Sequence, residues 1–112
     1  MPNLYLITSL FDEGIYESSF RVVEAESELE IVEHMLAHPS PWQWFLERSE
    51  PRDWQNPRFS VGSLWDCVRD PQMIPERLLD LIKMTGVDGD STAQLAIHKI
   101  TVDRLSNINT EP

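Results

Sequence analysis

Residues 3–11, Asn-Leu-Tyr-Leu-Ile-Thr-Ser-Leu-Phe, constrain the fold most, because β-forming apolar side chains occupy both alternating sets. A strand with that pattern sits near the middle of a sheet, with its second face at least partly covered. Asp12-Glu13-Gly14 supplies turn chemistry. From Tyr16 to Ala25 the alternation becomes one-sided, with Tyr16, Ser18, Phe20 and Val22 in one set and Glu17, Ser19, Arg21 and Val23 in the other, as in a strand with one wet face. The two runs predict an antiparallel β-hairpin over residues 3–25.

Helical spacing takes over next. Ser27 and Glu30 form a capping-box pattern, and Leu29, Val32 and Leu36, flanked by Ile31 and Met35, predict an apolar stripe on a helix from Glu28 to about Ala37, stopped by Pro39. Ser40-Pro41-Trp42-Gln43 repeats the start signal and predicts a short helix to about Arg48. Residues 49–63, punctuated by Pro51, Pro57 and Gly62, read as a loop. A turn of helix is predicted over 64–68. A stronger helix opens at Pro75 and runs to about Thr85, with Leu78, Leu79, Leu81 and Ile82 on one face and Gly86 as its stop. Asp88-Gly89-Asp90-Ser91 is a turn. Residues 93–105 then read as the last strand, a helix from Ser91 being the other reading.

The order strand, strand, helices, strand predicts an α+β domain spanning 1–112: a three-stranded, mainly antiparallel sheet with helices on one face and a helical and loop segment over 28–85. At 112 residues the chain fits one core. Its single cysteine, Cys67, cannot form an intrachain bridge and suits a reducing cytoplasm. No run approaches the ~20 apolar residues of a membrane span, and no basic segment precedes the first apolar run as in a signal peptide. A soluble cytoplasmic protein is expected. Homodimerisation is one way to cover the sheet's second face.

The formal charge is −10, and the first 50 residues hold ten acidic side chains against two basic ones, a net of −8. Glu24, Glu26, Glu28, Glu30 and Glu33 form the densest run. Such a surface repels phosphate backbones, so direct nucleic-acid binding is disfavoured, whereas a basic protein surface would be attracted.

Other groupings have simpler readings. Glu30, His34 and His38 follow at spacings of four and line one helix side, but the glutamate is not placed as in a His-Glu-x-x-His motif and the set lies opposite the apolar stripe, so it reads as a solvated face. Asp88 and Asp90 read as turn formers, since the later ligands of a calcium loop are missing. Cys67 has no partner cysteine and no histidine near in sequence; only His98, on the last strand, stands as a base that the fold could bring close. No catalytic set, metal site or cofactor fingerprint is assigned.

The densest chemistry lies between 42 and 65, where all four tryptophans fall, with Arg48, Arg52 and Arg58 interleaved. Tryptophan and arginine dominate binding hot spots, because each buries much area while keeping a polar handle. Trp42, Trp44, Arg48, Arg52, Trp54 and Arg58 are therefore the candidate residues for binding a protein partner. Since Trp42 and Trp44 are two apart, a helix cannot bury both on one narrow stripe, and at least one should stay accessible. The functional expectation is a non-catalytic interaction module, with an acidic mimic of nucleic acid as the alternative and a small metal protein or enzyme as the third.

Overall fold

β1 (Asn3–Leu10) lies between β2 (Ser19–Ala25) and β3 (Gln94–Ile100) in a three-stranded antiparallel sheet of order β2-β1-β3. The computed structural model describes residues 2–11, 19–89, 91–103 and 105–108; the predicted turn at Asp12-Glu13-Gly14 and the strand start at Tyr16 lie outside the described residues. Thr8 pairs with Phe20 on one side and Ala96 on the other, so the strand that is apolar on both sets is the central one.

Four α-helices cover one face: α1 (Glu28–Ala37), α2 (Gln43–Glu47), α3 (Leu64–Val68) and α4 (Pro75–Lys83). Tyr5 and Ile7 of β1, Ala25 of β2 and Leu95 of β3 join Ile31, Val32 and Met35 of α1 and Leu78, Leu81 and Ile82 of α4 in one buried cluster. The predicted α+β class is the observed one. The opposite face carries Leu4, Leu6, Leu10, Phe20, Val22 and Ile100, and no helix among the described residues covers it.

Local chemistry explains the helix limits. Ser27 Oγ accepts the Glu30 N–H at 3.2 Å, and the Glu30 carboxylate accepts the N–H of Glu26 at 3.3 Å, one residue ahead of the cap. The buried stripe of α1 is Ile31, Val32 and Met35, with Leu29 and Leu36 half-buried; it is rotated from the predicted one because α1 packs against α4 as well as against the sheet. Beyond Pro39, residues Ser40–Trp42 form a 3-10 turn before α2, and no side chain caps either segment, contrary to the role predicted for Ser40. At α3, Ser63 and Asp66 form a complete capping box. Gly62 (φ +77°) leads into it, and a Cβ there would stand 2.7 Å from the Asp66 carboxylate, so only glycine fits without a shift.

Residues 49–63 contain no helix or strand, as predicted, yet the loop is anchored at its start. Arg48 O accepts the N–H of Ala93 at 2.9 Å, Ser49 O accepts that of Leu64 at 2.8 Å, and Met84 O accepts that of Arg52 at 3.1 Å. α4 ends at Lys83, two residues earlier than predicted. Thr85 then donates its hydroxyl to Ile82 O at 2.7 Å and accepts the N–H of Leu95 at 2.9 Å, tying α4 to β3.

The last strand is shorter than the predicted 93–105. Ile100 pairs with Leu4, and only Asn3 remains of β1 beyond that point, so residues 101–103 have no strand to pair with. Leu105–Asn107 instead form a 3-10 turn.

Candidate protein-binding surface

The corner Pro39-Ser40-Pro41 sets the geometry of the tryptophan segment. Trp42 closes the 3-10 turn and Phe45 follows three residues later on the same side, so both rings are buried, Trp42 to 4% exposure. Trp44 points the other way and is 36% exposed.

These rings form a continuous file. Trp42 lies 6.1 Å from Phe45 between centroids, and Phe45 meets Trp44 edge to face at 5.6 Å. The Arg48 guanidinium stacks on Trp44 at 4.0 Å, and its Nη1 donates to Trp44 O at 2.8 Å and to the Glu47 carboxylate at 3.0 Å. At the other end the Trp42 indole N–H donates to Nδ1 of His34 at 2.9 Å, which requires the His34 ring to carry its proton on Nε2 when neutral. His38 lies beside it at 5.0 Å.

Arg21 joins the file from β2. It is opposite Ile7 on the helix-covered face, where its guanidinium lies 4.7 Å from the Trp42 centroid and 5.3 Å from that of Phe45, while Nη1 donates to Pro41 O at 3.0 Å. A cation on a covered face is stabilised by ring faces and a carbonyl oxygen in place of water. Sequence reasoning did not link Arg21 and His34 to the tryptophans. The available signal was Arg21 alternating with Val23 and Ala25 along one side of β2.

Beside the file lies a cleft of about 230 Å³, with Val23, Glu24, Ala25 and Ile31 in its lining, Glu30 at its edge, and His34 and Trp42 forming a wall; Glu24 pairs with Leu4, so its side chain belongs to the opposite face of the sheet. Glu24, Glu26, Glu30 and Glu33 are exposed and Glu28 is half-buried; of this run Glu24 and Glu30 line the cleft, whereas Glu28 lines a separate hollow beside Leu79, Ile82 and Lys83.

The remaining candidates are elsewhere. Trp54 is 74% exposed in the 49–63 loop, beside a hollow of about 190 Å³ that Arg52, Asp53 and Phe59 also line. Asp53 and Asn56 side chains accept the N–H groups of Gln55 and Arg58 and shape that loop, and Arg58 is exposed. Arg52 pairs with Asp88 at 3.1 Å. Trp65 is half-buried, with the Arg69 guanidinium 5.9 Å from its ring centroid. The structure thus brings Trp42, Trp44 and Arg48 together and places Arg52, Trp54 and Arg58 in a separate loop.

The other groupings are occupied structurally. His34 uses Nδ1 on Trp42 and Glu30 accepts a backbone N–H, and no group of three metal-ligating side chains occurs among the described residues. Asp90 lies outside the described residues; Ser91 donates its N–H to Asp88 O at 3.1 Å in the predicted turn. Cys67 is buried, and burial above all, with the Asp66 carboxylate next, pushes its thiol above the ordinary range. His98 does not approach it: that ring is on the helix-free face of the sheet, 3.4 Å from Thr8 Oγ1. No helix among the described residues is long and apolar enough to cross a membrane.

No protein-family model, curated protein or solved structure matches this chain.

Proposed function

We propose that the chain is a non-catalytic protein-interaction module whose partner-facing surface is the aromatic file from Arg48 and Trp44 to the cleft at Trp42 and His34. One observation carries the reading: Trp44 is exposed, yet its ring is held between the Arg48 guanidinium and the edge of buried Phe45. A large ring already fixed in place loses little freedom on binding, which is the property of an interface anchor. Trp54 offers a second accessible ring on its own loop. With one buried thiol, the module suits a reducing compartment such as the cytoplasm.

The exposed glutamates Glu24, Glu26, Glu30 and Glu33 along the end of β2 and the start of α1 support a second reading, an acidic mimic of nucleic acid that captures a basic nucleic-acid-binding protein. Salt separates the two, because contacts between exposed charges are screened whereas a buried aromatic contact is not. The experiment is affinity capture from a lysate of the native host, with low-salt and high-salt washes, using the wild type beside Trp44→Ala and Trp54→Ala. A stoichiometric protein kept in high salt by the wild type and lost with Trp44→Ala supports the tryptophan surface. Capture that is indifferent to both substitutions overturns it, and a partner released by salt moves the acidic reading ahead.

A further inference from the structure

The helix-free face of the sheet is largely apolar, with Thr8 at its centre and Gln94 at one end as its uncharged polar residues. Leu4, Leu6 and Leu10 run down β1, Phe20 is 71% and Val22 51% exposed on β2, and Ile100 stands on β3. Among the described residues only Glu24 and His98 on this face are ionisable, one on each edge strand. We propose that this face is closed by the same face of a second copy of the chain, in a sheet-on-sheet dimer whose two-fold axis runs parallel to β1.

Register argues for a second copy. A two-fold axis parallel to the central strand lays β2 of one copy over β3 of the other and keeps positions level along the strand. Phe20 and Ala96 both pair with Thr8, so Phe20, the most projecting side chain of the face, comes over the partner's Ala96, its smallest. Val22 and His98 both pair with Leu6, and Glu24 and Ile100 both pair with Leu4. Glu24 therefore comes level with the partner's Ile100 and stands two residues along the same rim from the partner's His98, so that among the described residues the acid and the base of the face are rim neighbours on each side of the dimer.

Area sets the strength. Three strands about 4.8 Å apart, paired over seven residues at about 3.4 Å each, project roughly 350 Å². That is less than half of the roughly 800 Å² that each partner contributes to a standard interface, so the dimer should be weak and reversible. This inference does not rest on the tryptophan reading: none of these residues belongs to the aromatic file, and only Glu24 also lines the cleft beside it.

The test is sedimentation velocity of the wild type and Phe20→Glu from low to high micromolar concentration, with circular dichroism as the check of folding. The wild type should shift from monomer to dimer, and Phe20→Glu should weaken association by about tenfold or more, as expected for removal of a buried aromatic anchor. In parallel, an equimolar mixture of Phe20→Cys and Ala96→Cys chains is treated with a short bismaleimide. The mixture should give a cross-linked dimer joining the two variants, in greater yield than either variant alone. A wild type that stays monomeric, a Phe20→Glu variant that associates equally well, or Phe20→Cys that cross-links best to itself would each overturn the proposal.

Discussion

Arg21 stacks on Trp42 and, through the same guanidinium, donates to Pro41 O at 3.0 Å, so a single side chain joins β2 to the turn that positions the aromatic file. Replacing Arg21 with alanine removes the stacking and the hydrogen bond together. The expected loss is about 1–2 kcal/mol, since a partly desolvated cation-π contact is worth up to about 2 kcal/mol. Urea unfolding followed by tryptophan fluorescence measures it. Arg21→Lys should recover only part, because an ammonium lacks the planar fork. Equal stability of all three proteins would refute this coupling.

Trp42 and Trp44 of the candidate surface and Trp54 of the separate loop should differ clearly in their effect on stability. Trp42→Ala empties a core site and should lower stability by about 3–5 kcal/mol. Trp44→Ala and Trp54→Ala should each change it by less than about 1 kcal/mol, as exposed positions do. Thermal melts of the three variants check this, and a Trp44→Ala protein as unstable as Trp42→Ala would mean that Trp44 serves the core.

That division was only partly legible in the sequence. The two-residue spacing of Trp42 and Trp44 required one ring to remain accessible, but not which one, because the intervening 3-10 turn changes the phase before α2 begins. β1 was legible as the central strand from its two apolar sets, and Ser27 and Pro75 marked the starts of α1 and α4. The end of β3 was not legible: Val102 continues the alternation, and only the length of β1 stops the pairing at Ile100. Arg21 was also obscured, since a charged residue in a strand reads as solvent-facing unless its distant aromatic cover is known.

Thr85 should matter more than its size implies. Thr85→Val keeps the shape but leaves the buried N–H of Leu95 without its hydroxyl partner, at an expected cost of about 1–3 kcal/mol. Thr85→Ser should retain the bond. Amide hydrogen exchange of Leu95 provides a local readout, with faster exchange in the valine variant and near wild-type exchange in the serine variant.

Cys67 gives a prediction in pH. Its thiol is raised in the folded protein by burial first and the Asp66 carboxylate second, so the unfolded chain ionises at lower pH than the native one. The stabilising contribution is full below the ordinary thiol range and is lost as pH rises through the folded value. Melting temperature should therefore fall more steeply with alkaline pH in the wild type than in Cys67→Ala. Alkylation by iodoacetamide at pH 8 should be slow in native protein and fast in urea; parallel alkaline slopes for the two proteins would contradict the assignment.

The placement of β1 between two neighbours so unequal in sequence distance also governs how the molecule is assembled. β2 follows β1 closely, whereas Thr8 and His98, which meet across the other edge, are 90 residues apart. Contacts of such separation form late, because a long loop must close before they contribute. During synthesis the β3-facing edge of β1 stays unpaired until all four helices have emerged, and an unpaired apolar strand edge is a template for misassociation. Slow translation through the segment before β3 would therefore lower the yield of soluble protein, even though the finished molecule would be unchanged.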